Sequence, residues 1–449
     1  MELQVSLNSG RPEQYNAERL VNLYAEQGTG KARVRLTGTP GLAQFTDTGP
    51  LPVRGMCMHD GLLYVVSNGL YRVTANGAAT RIGSIPGTSR VYMASNGLQL
   101  AIVSEGSIYV LSSGTLAKVS DADAPAALTV DYLDGYFLFS DGSGSFYLSE
   151  LYAGTSYDAL DFASAESNPD PIVRLFVDHR EVFLMGSETI EIWTNTGGSD
   201  FPFERVPGAI VELGICGRNA VAKLDNSIVW IDHKGIVRRM AGGYAPQRIS
   251  THEVERALSG KALHDAEAWA YSSEGHEFFV LTVPGAGTWV FDAATGLWHE
   301  RQTYGADRWR ASCHARGFGY DLVGDIESGK VYKMDSSVFT DADQPMLAEM
   351  IFPPVHNESN RFRVSRVVLD MEHGETAPHG DSVVRLDLSD DSQNWDTVGY
   401  SSMGSTGNRV TRTVWRRLGQ HRTLHMRFRI SDPVRRTIYG AYAEIMGDA

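Results

Sequence analysis

The chain has 449 residues, of which 42% are apolar and 21% are charged, and its formal net charge is −14. This is the composition of a globular protein, so wholesale disorder is excluded. Because binding to phosphates depends on clustered Lys and Arg, the acidic balance argues against a general nucleic-acid coat. The 46 glycines follow no Gly-X-Y period and therefore predict many tight turns and many short strands.

Three cysteines, Cys57, Cys216 and Cys313, lie far apart in the sequence and form no Cys-x-x-Cys pair, so neither a disulfide framework nor a zinc site is indicated. We expect synthesis in a reducing cytoplasm. The first eight residues lack the cationic and apolar regions of a secretion signal. Apolar runs such as 136–139 are far shorter than the ~18 residues that a membrane helix needs, so we expect a soluble protein without membrane contacts.

Residues 1–49 are expected to form an N-terminal arm whose strand or strands either close a propeller or pack on the C-terminal domain. Seven segments follow in which an alternating apolar strand, a tight polar turn and a second alternating strand succeed one another. Each pattern predicts a β-hairpin in which a turn glycine supplies a positive φ angle. The segments are 62–73, 98–111, 136–148, 182–193, 228–240, 278–291 and 320–334.

The turn glycines of these hairpins lie on average about 43 residues apart, within the ~40 to 50 residues of a four-stranded propeller blade. They are Gly69, Gly106, Gly142, Gly186, Gly235, Gly285 and Gly329. We therefore predict a β-propeller of six or seven blades over residues 50–350, with a large sandwich or two stacked barrels as the alternative. Between two blades, the capping-box spacing from Ser250 to Glu253 predicts one short helix that Gly260 can end.

After Pro353-Pro354 the composition changes, and residues 351–449 are expected to form a separate antiparallel, sandwich-like β-domain. The predicted strands are 365–370, 383–388, 410–415, 424–430 and 438–442. The fold class is thus all-β. Residues 401–449 hold nine Arg, no Lys and three acids, a net charge of +6, so the first 400 residues carry −20. This asymmetry is the strongest electrostatic feature of the sequence.

Arg427 and Arg429 are predicted to share one face of the strand 424–430 with His425. A row of Arg on a sheet face can bind phosphates or can contact an acidic partner surface through bidentate pairs. Internal pairing with carboxylates of the same domain is an equal alternative, and DNA binding is disfavoured. The candidate internal partners are Asp387, Asp390, Asp391 and Asp396.

No motif predicts catalysis. The segment 324–331 has the spacing of a phosphate-binding loop, but Val331 replaces the hydroxyl that would hold Mg²⁺, and Asp325 and Glu327 would repel phosphates. Residues 389–395 resemble the Asp-box turn of sialidase-type propellers, which is a structural turn. No zinc-protease or nucleophile-elbow spacing occurs. We therefore expect no catalytic residue, metal or cofactor, and a protein that is not an enzyme.

Both ends of the chain resemble a known family. Glu18-Arg-Leu-Val-Asn-Leu-Tyr-Ala-Glu26 and Leu36-Thr-Gly-Thr-Pro-Gly-Leu42 resemble the opening of the packaged-DNA stabilisation, or tail-hub, proteins of short-tailed bacteriophages, which complete the head after packaging. Segments 289–301 and 323–332 are similar to later repeats of that family, and 415–419 and 429–433 to its C-terminal signature. The motif residues and candidate interface residues are Arg19, Asn22, Tyr24, Thr39, Pro40, Gly41, Trp298, Trp415, Arg416, Arg417, Arg427, Arg429, Asp432 and Pro433.

The resemblance implies a structural virion protein that is assembled in the host cytoplasm as a homo-oligomeric ring, expected to be a hexamer. Such a ring attaches below the portal–adaptor complex, contacts other tail proteins such as a tail needle or tailspike, retains the packaged DNA and later conducts it. DNA would pass without sequence-specific binding, because an acidic channel lets DNA slide where a basic one would hold it. Arg416, Arg417, Arg427 and Arg429 are expected to serve ring assembly or docking.

Two other functions are compatible with a propeller. A carbohydrate-binding or glycosidase-type propeller would need paired carboxylates and aromatic platforms at the channel mouth, and no spacing marks such carboxylates. A monomeric interaction scaffold is the second alternative, and the absence of kelch and WD signatures counts against it.

Overall fold

The computed structural model describes residues 2–3, 19–27, 34–165, 170–198, 201–358, 360–377 and 380–447. Glu18 of the N-terminal motif, residues 4–8 of the N-terminus and Asp448 of the C-terminal charge count lie outside the described residues. Nearly all regular structure in the described ranges is β-strand, which confirms the all-β prediction. The helical elements there are the α-helix His252–Leu258 and the 3-10 turns Gly242–Tyr244 and Leu263–Asp265.

Seven antiparallel four-stranded units, called blades 1 to 7 here, succeed one another along the chain. Blade 1 contains Gly55–His59, Leu62–Val66, Leu70–Val73 and Ala79–Gly83; blade 2 contains Tyr92–Ser95, Gln99–Ser104, Ser107–Ser112 and Thr115–Lys118. Blade 3 contains Thr129–Leu133, Tyr136–Ser140, Ser145–Leu148 and Phe162–Ser164; blade 4 contains Ile172–Asp178, Glu181–Gly186, Ile190–Asn195 and Phe203–Val211. Blade 5 contains Val221–Leu224, Ser227–Ile231, Val237–Ala241 and Ala245–Arg248.

Blades 6 and 7 are joined to the ends of the chain. Blade 6 contains Glu267–Ser273, His276–Val283, Gly287–Asp292 and Leu297–Arg301, and its last strand continues into a sheet of the C-terminal domain. Blade 7 contains Ala311–Gly317, Tyr320–Asp325 and Lys330–Asp335, and its fourth strand is the N-terminal segment Gly41–Asp47. The short strands Thr340–Asp341 and Gln344–Pro345 extend this edge of blade 7. A strand from the start of the chain thus completes the last blade.

The blades form a closed ring because neighbouring blades share buried apolar clusters. One cluster, which includes Leu63 and Val331, joins blade 7 to blade 1, and another, which includes Val110 and Phe139, joins blade 2 to blade 3. The cluster that includes Ile192 and Trp230 joins blades 4, 5 and 6. Each fully buried side chain of this kind contributes about 1.5–3 kcal/mol to stability. The ring therefore rests on side-chain packing between sheets.

The predicted hairpins are the two middle strands of each blade, but the role assigned to their glycines was partly wrong. Gly106, Gly142, Gly235 and Gly285 do have positive φ angles. Gly69, Gly186 and Gly329 do not; a Cβ atom at Gly186 would lie 2.2 Å from the Asp170 carboxylate. These three positions require glycine because another group approaches the backbone closely.

The predicted helix is present but begins one residue later than the capping box implies. Thr251 is the N-cap, and its hydroxyl accepts a hydrogen bond from the Val254 N–H. The Ser250 hydroxyl donates to Glu255 at 2.6 Å instead. Gly260, with φ of +72°, follows the helix end. Val254 and Leu258 lie four residues apart on one face of the helix and are buried against blades 4 to 6.

The C-terminal domain is a sandwich of two sheets that also takes strands from the N-terminal segment. One sheet contains Arg19–Val21, Ala348–His356, Thr423–Ile430, Val383–Ser389 and Asp396–Ser402. The other contains Leu23–Gln27, Val34–Gly38, Thr437–Gly447, Phe362–Met371 and Thr413–Arg416, with Glu2–Leu3 and Gln420–His421 at its margins; Thr376–Ala377 pairs separately with Gly380–Asp381. The core between the sheets includes Met350, Val367, Trp415 and Phe428.

The composition of the chain changes after Pro353-Pro354, but these two prolines do not end a strand. Both prolines lie within the strand Ala348–His356, which pairs with Thr423–Ile430 and shifts its register between Phe352 and Val355. An irregularity of this kind accommodates residues that cannot donate a ladder hydrogen bond.

Side chains close the centre of the propeller. The first strand of each blade is the innermost one, since the first strands of nearly all neighbouring blades contact one another. Tyr92 of blade 2 donates a 2.6 Å hydrogen bond to Asn219, which precedes the first strand of blade 5 on the far side of the ring. Arg90, just before blade 2, donates at 2.6 Å to the Ser312 carbonyl of blade 7. The central channel of the propeller is therefore bridged.

Candidate functional site

Six of the predicted motif residues, Arg19 through Gly41, come together where the propeller meets the sandwich. This region is called the joint here. Arg19 donates from Nε and Nη2 to the two carboxylate oxygens of Glu300 in blade 6, both at 2.7 Å. Its Nη1 donates to Glu349 of the sandwich at 3.1 Å. Although burial lowers the pKa of Arg19, the bonds and charges of Glu300 and Glu349 raise it above its ordinary value.

Asn22 is the centre of the joint and has a φ angle of +55°, a conformation that Asn tolerates better than most residues. Its side-chain Nδ2 donates to the carbonyls of Gln302 at 2.9 Å and Leu347 at 2.8 Å, and its Oδ1 accepts from the Gln302 N–H. Its own N–H donates to the Glu300 carbonyl. One buried amide thus connects the arm, the end of blade 6 and the entry to the sandwich.

Residues 39–41 follow the joint into blade 7. The Thr39 N–H donates to the Asn22 carbonyl at 3.1 Å, and the Pro40 carbonyl accepts from buried Arg301 at 2.8 Å. The Arg301 guanidinium also stacks 3.7 Å from the Trp309 ring centroid. Gly41 cannot be replaced without a shift, because a Cβ atom would lie 2.3 Å from the Val338 carbonyl oxygen.

Tyr24 anchors the arm to the propeller core. Its ring packs edge-on against His276 at 5.2 Å and Phe278 at 5.3 Å between centroids. Burial raises the pKa of the Tyr24 phenol well above its ordinary value. Tyr24 belongs to the cluster shared by blades 6 and 7, so the sandwich strand that carries it is also part of the propeller core.

The two predicted tryptophans are core residues of different domains. Trp298 packs against Phe291 in the propeller and donates from Nε1 to the Ile249 carbonyl at 2.8 Å. Trp415 packs on Phe428 in the sandwich and donates to the Gly399 carbonyl at 3.1 Å. Buried tryptophans whose indole N–H groups are satisfied indicate a structural contribution.

Arg427 and Arg429 have internal partners. Arg427 donates from Nε to Asp387 at 3.0 Å and stacks 4.2 Å from the Trp395 ring centroid. Arg429 donates to Glu349 at 2.6 Å, a partner that the sequence did not indicate. Burial raises the pKa of Asp387, but hydrogen bonds from Arg385, Thr397 and Arg427 lower it below its ordinary value.

Arg416 and Arg417 differ from these two. Both are exposed, and in the part of the chain that the structure describes neither side chain forms an ion pair or hydrogen bond.

Asp432 is structural: its carboxylate accepts from the Val383 N–H at 2.8 Å, and half-buried Pro433 follows it. Arg436, which sequence reasoning missed, donates to the carbonyls of Met346 and Asp432, and burial lowers its pKa to about 10.

The two rejected motifs are turns. Asp325 of the loop 324–331 is buried and bonded by Arg310 and Ser328, within the hairpin of blade 7. Asp391 of the segment 389–395 accepts from the N–H groups of Gln393 and Asn394, which hold the turn and lower the pKa of the carboxyl.

Within the described ranges, no three His, Cys, Asp or Glu side chains are grouped so that they could hold a metal ion. No helix there combines the length and apolar character needed to cross a bilayer. All three cysteines are free thiols, and burial raises the pKa of Cys57 to about 12.

The channel carboxylates are engaged with neighbouring groups. Glu267 pairs with Arg308 at 2.8 Å and with Arg90 at 3.7 Å. Asp131 accepts from the N–H groups of Val177 and Tyr132, both at 2.9 Å. A glycosidase needs two carboxylates that face the substrate. Glu267 and Asp131 instead face arginine side chains and backbone N–H groups of the protein.

A propeller closed by an N-terminal strand and joined to a sandwich by the same segment defines a two-domain all-β protein. Its two domains match two family models, described as "Bacteriophage P22 Gp10, beta-propeller" over residues 3–339 and "Bacteriophage P22 Gp10, beta-sandwich" over residues 348–446. The chain therefore belongs to the Gp10 family, which confirms the resemblance to phage tail-hub proteins.

A curated relative is the "Tail hub protein gp10" of Salmonella phage P22, which is 23% identical over 253 residues. The alignment covers 51% of this chain and 53% of the relative, so the chain matches about half of that protein's length.

Solved structures with a similar fold include the WD40 β-propeller domain of Doa1 (TM-score 0.44, 11% identity, 67% of this chain and 97% of that chain). BamB from Moraxella catarrhalis has a TM-score of 0.42 at 10% identity, with 70% and 97% of the two chains covered. The computationally designed Ika8 protein has a TM-score of 0.40 at 16% identity, with 71% and 99% covered.

Proposed function

We propose that the chain is a structural protein of a phage virion, the tail hub below the portal–adaptor complex of a short-tailed phage. It forms a homo-oligomeric ring, expected to contain six copies and assembled in the host cytoplasm, that retains packaged DNA and forms part of the ejection conduit. The observation that carries this proposal is the match of both domains to the two Gp10 models.

The contacts of the joint suit a subunit that must resist force. A ring that holds DNA against internal pressure requires subunits whose domains do not swing apart. Arg19, Asn22 and Tyr24 each contact both the propeller and elements of the sandwich through ion pairs, amide hydrogen bonds or aromatic packing. Because these contacts are at least partly buried, opening the joint would cost several interactions at once.

The docking hypothesis is narrowed to Arg416 and Arg417. Arg427 and Arg429 are engaged inside the sandwich, whereas Arg416 and Arg417 are exposed and have no side-chain partner among the described residues. Exposed guanidinium groups on a segment of charge +6, in a chain whose remainder carries −20, favour contact with an acidic surface of a neighbouring subunit or tail protein.

The bridged channel constrains the DNA path. The hydrogen bond between Tyr92 and Asn219 crosses the centre of the propeller, so a duplex cannot pass through an individual subunit. The conduit is therefore the common axis of the ring. On this account, acidic residues of several subunits face the axis and keep DNA mobile.

Sedimentation of the purified chain with portal–adaptor complexes tests the proposal. The wild-type chain should cosediment at low salt, and Arg416→Ala/Arg417→Ala should remain folded but cosediment less. Arg256→Ala, an exposed arginine of the propeller helix, is the matched control. Unchanged assembly of the double variant together with weaker binding to bare duplex DNA would show that the Arg surface contacts nucleic acid.

A further inference from the structure

Three arginines from different parts of the ring converge on Tyr92 inside the propeller channel. Arg174, on the first strand of blade 4, places its Cζ atom 4.5 Å from the Tyr92 ring centroid. Arg90 precedes blade 2, and Arg218, before blade 5, is next to Asn219, which accepts the 2.6 Å hydrogen bond from Tyr92. Burial raises the pKa of the Tyr92 phenol, and the positive charges of Arg174, Arg218 and Arg90 all oppose that rise, as expected for guanidinium groups close to the ring.

Two of these guanidinium groups have buried donors without protein acceptors. Nε and Nη1 of Arg174 and Nε of Arg218 are inaccessible to solvent and have no hydrogen-bond partner among the described residues. Arg90, in contrast, donates to the Ser312 carbonyl and lies 3.7 Å from Glu267. Stacking on Tyr92 uses the face of the Arg174 guanidinium, so its N–H groups at the edge remain available.

The local charge is not balanced by protein carboxylates. Glu267 is shared between Arg90 and Arg308, and Asp131 is held by two backbone N–H groups. Together with Arg174 and Arg218, four guanidinium groups thus face two carboxylates. Lys223, which is also near, pairs with Asp178 at 3.5 Å. Arg174 and Arg218 are half-buried, and their buried, unpaired N–H donors favour a counter-charge beside them.

We propose that this channel cluster is a binding site for a small free oxyanion of the phosphate class, with Arg174 and Arg218 as the donors. A guanidinium fork matches the geometry of two oxyanion oxygens and forms short, charge-assisted hydrogen bonds with them. The hydrogen bond between Tyr92 and Asn219 spans the channel, so a threaded polymer does not fit, and the proposed ligand is therefore a free ion. The bound ion would link the neighbouring blades 4 and 5 at the propeller centre.

The test titrates inorganic phosphate against the full-length protein at constant ionic strength, with chloride as the balancing anion. Calorimetry and the thermal midpoint should show saturable binding to the wild type. Arg218→Gln should weaken phosphate binding by about tenfold or more, because a charge-assisted donor is lost. Arg174→Gln should do the same, and Arg256→Gln, on the exposed face of the helix, should bind like the wild type.

Arg174 lies on a strand, whereas Arg218 lies in the segment before blade 5. If Arg174→Gln does not fold, the Arg218→Gln variant therefore decides the outcome, and circular dichroism verifies that this variant is folded. Equal phosphate binding by the wild type and Arg218→Gln would overturn the proposal. So would a response that tracks ionic strength without saturation, a response to acetate but not phosphate, or displacement of phosphate by a short oligothymidylate.

Discussion

Arg19 and Glu300 are 281 positions apart in sequence, yet their side chains form a two-pronged ion pair with both N–O distances at 2.7 Å. Arg19 lies on a sandwich strand, and Glu300 lies on the outer strand of blade 6. The backbone confirms this junction, because Val21 pairs with Glu300 in parallel register. The N-terminal arm therefore continues a propeller blade directly into a sandwich sheet.

A double-mutant cycle of Arg19→Ala and Glu300→Ala should give a coupling free energy of about 1 kcal/mol, which decreases at high salt. The Arg19 side chain is 42% exposed, so the value expected for a fully buried pair does not apply. Urea unfolding of the four variants measures it.

The matched control is the Arg35–Glu26 pair, which has the same two-pronged geometry and an Arg side chain that is 43% exposed. That pair lies within one local hairpin, and we expect its coupling free energy to be smaller than that of Arg19 and Glu300. Equal coupling of both pairs would show that Arg19 does not strengthen the joint beyond an ordinary surface pair.

Asn22→Ala should lower the free energy of unfolding by about 2–4 kcal/mol, because it removes three hydrogen bonds in a buried setting and strains a backbone at φ of +55°. Asn226→Ala is the control, since Asn226 has a φ of +56° but is exposed and loses one exposed hydrogen bond, to His179. The difference in denaturation midpoint between the two variants measures how much the buried amide of Asn22 contributes to stability. A loss no larger than that of the control would remove Asn22 from the joint.

Arg427→Ala should destabilise the sandwich by about 1–3 kcal/mol, because it removes a partner of the fully buried Asp387. The loss is limited because Asp387 keeps its hydrogen bonds with Arg385 and Thr397. Arg416→Ala/Arg417→Ala should change the thermal midpoint little, because exposed arginines without partners contribute little to folding. Differential scanning calorimetry of both proteins separates these expectations. The reverse order of stabilities would contradict the division between internal and exposed arginines.

Stability should fall as the pH decreases from about 6.5 towards 3, partly because of His299. Burial, together with the nearby charges of Arg301 and His276, lowers the pKa of this imidazole to about 3. In that window the unfolded chain binds a proton that the folded chain does not, so protonation favours unfolding by up to about 1.4 kcal/mol per pH unit.

His299→Gln should therefore flatten the dependence of the unfolding free energy on pH between 6.5 and 4.5. His252→Gln, whose side chain is 84% exposed in the wild type, should leave the slope unchanged. Urea titrations at several pH values measure both slopes. A slope that survives in His299→Gln would assign the acid sensitivity to other groups.

The sequence predicted the middle of each blade far better than its edges. The second and third strands are short runs of almost wholly buried, mostly apolar residues, as in Tyr136–Ser140, so apolar runs on either side of a tight turn mark them clearly in the sequence. Fourth strands such as Thr115–Lys118 are mostly exposed and carry no apolar pattern. First strands include polar channel residues such as Asp131 and Arg174, which interrupt the run of apolar residues.

The joint could be predicted only in part. The motif at 18–26 was noticed because it resembles a family, but its partners Glu300 and Glu349 lie hundreds of residues away and no local pattern marks them. The same holds for Arg301 and Arg436, two buried arginines that bond to backbone carbonyls. Contacts that depend on long-range topology become visible only in the folded chain.

The most direct test of the central claim is electron microscopy of the purified chain, alone and mixed with portal–adaptor complexes. A tail hub should form a ring, expected to contain six copies, or should add ring-shaped density below the adaptor. The axis of that density should be open while each subunit's own propeller centre is closed. Single propeller-sized particles that add no density to the complex at any protein concentration would contradict the account.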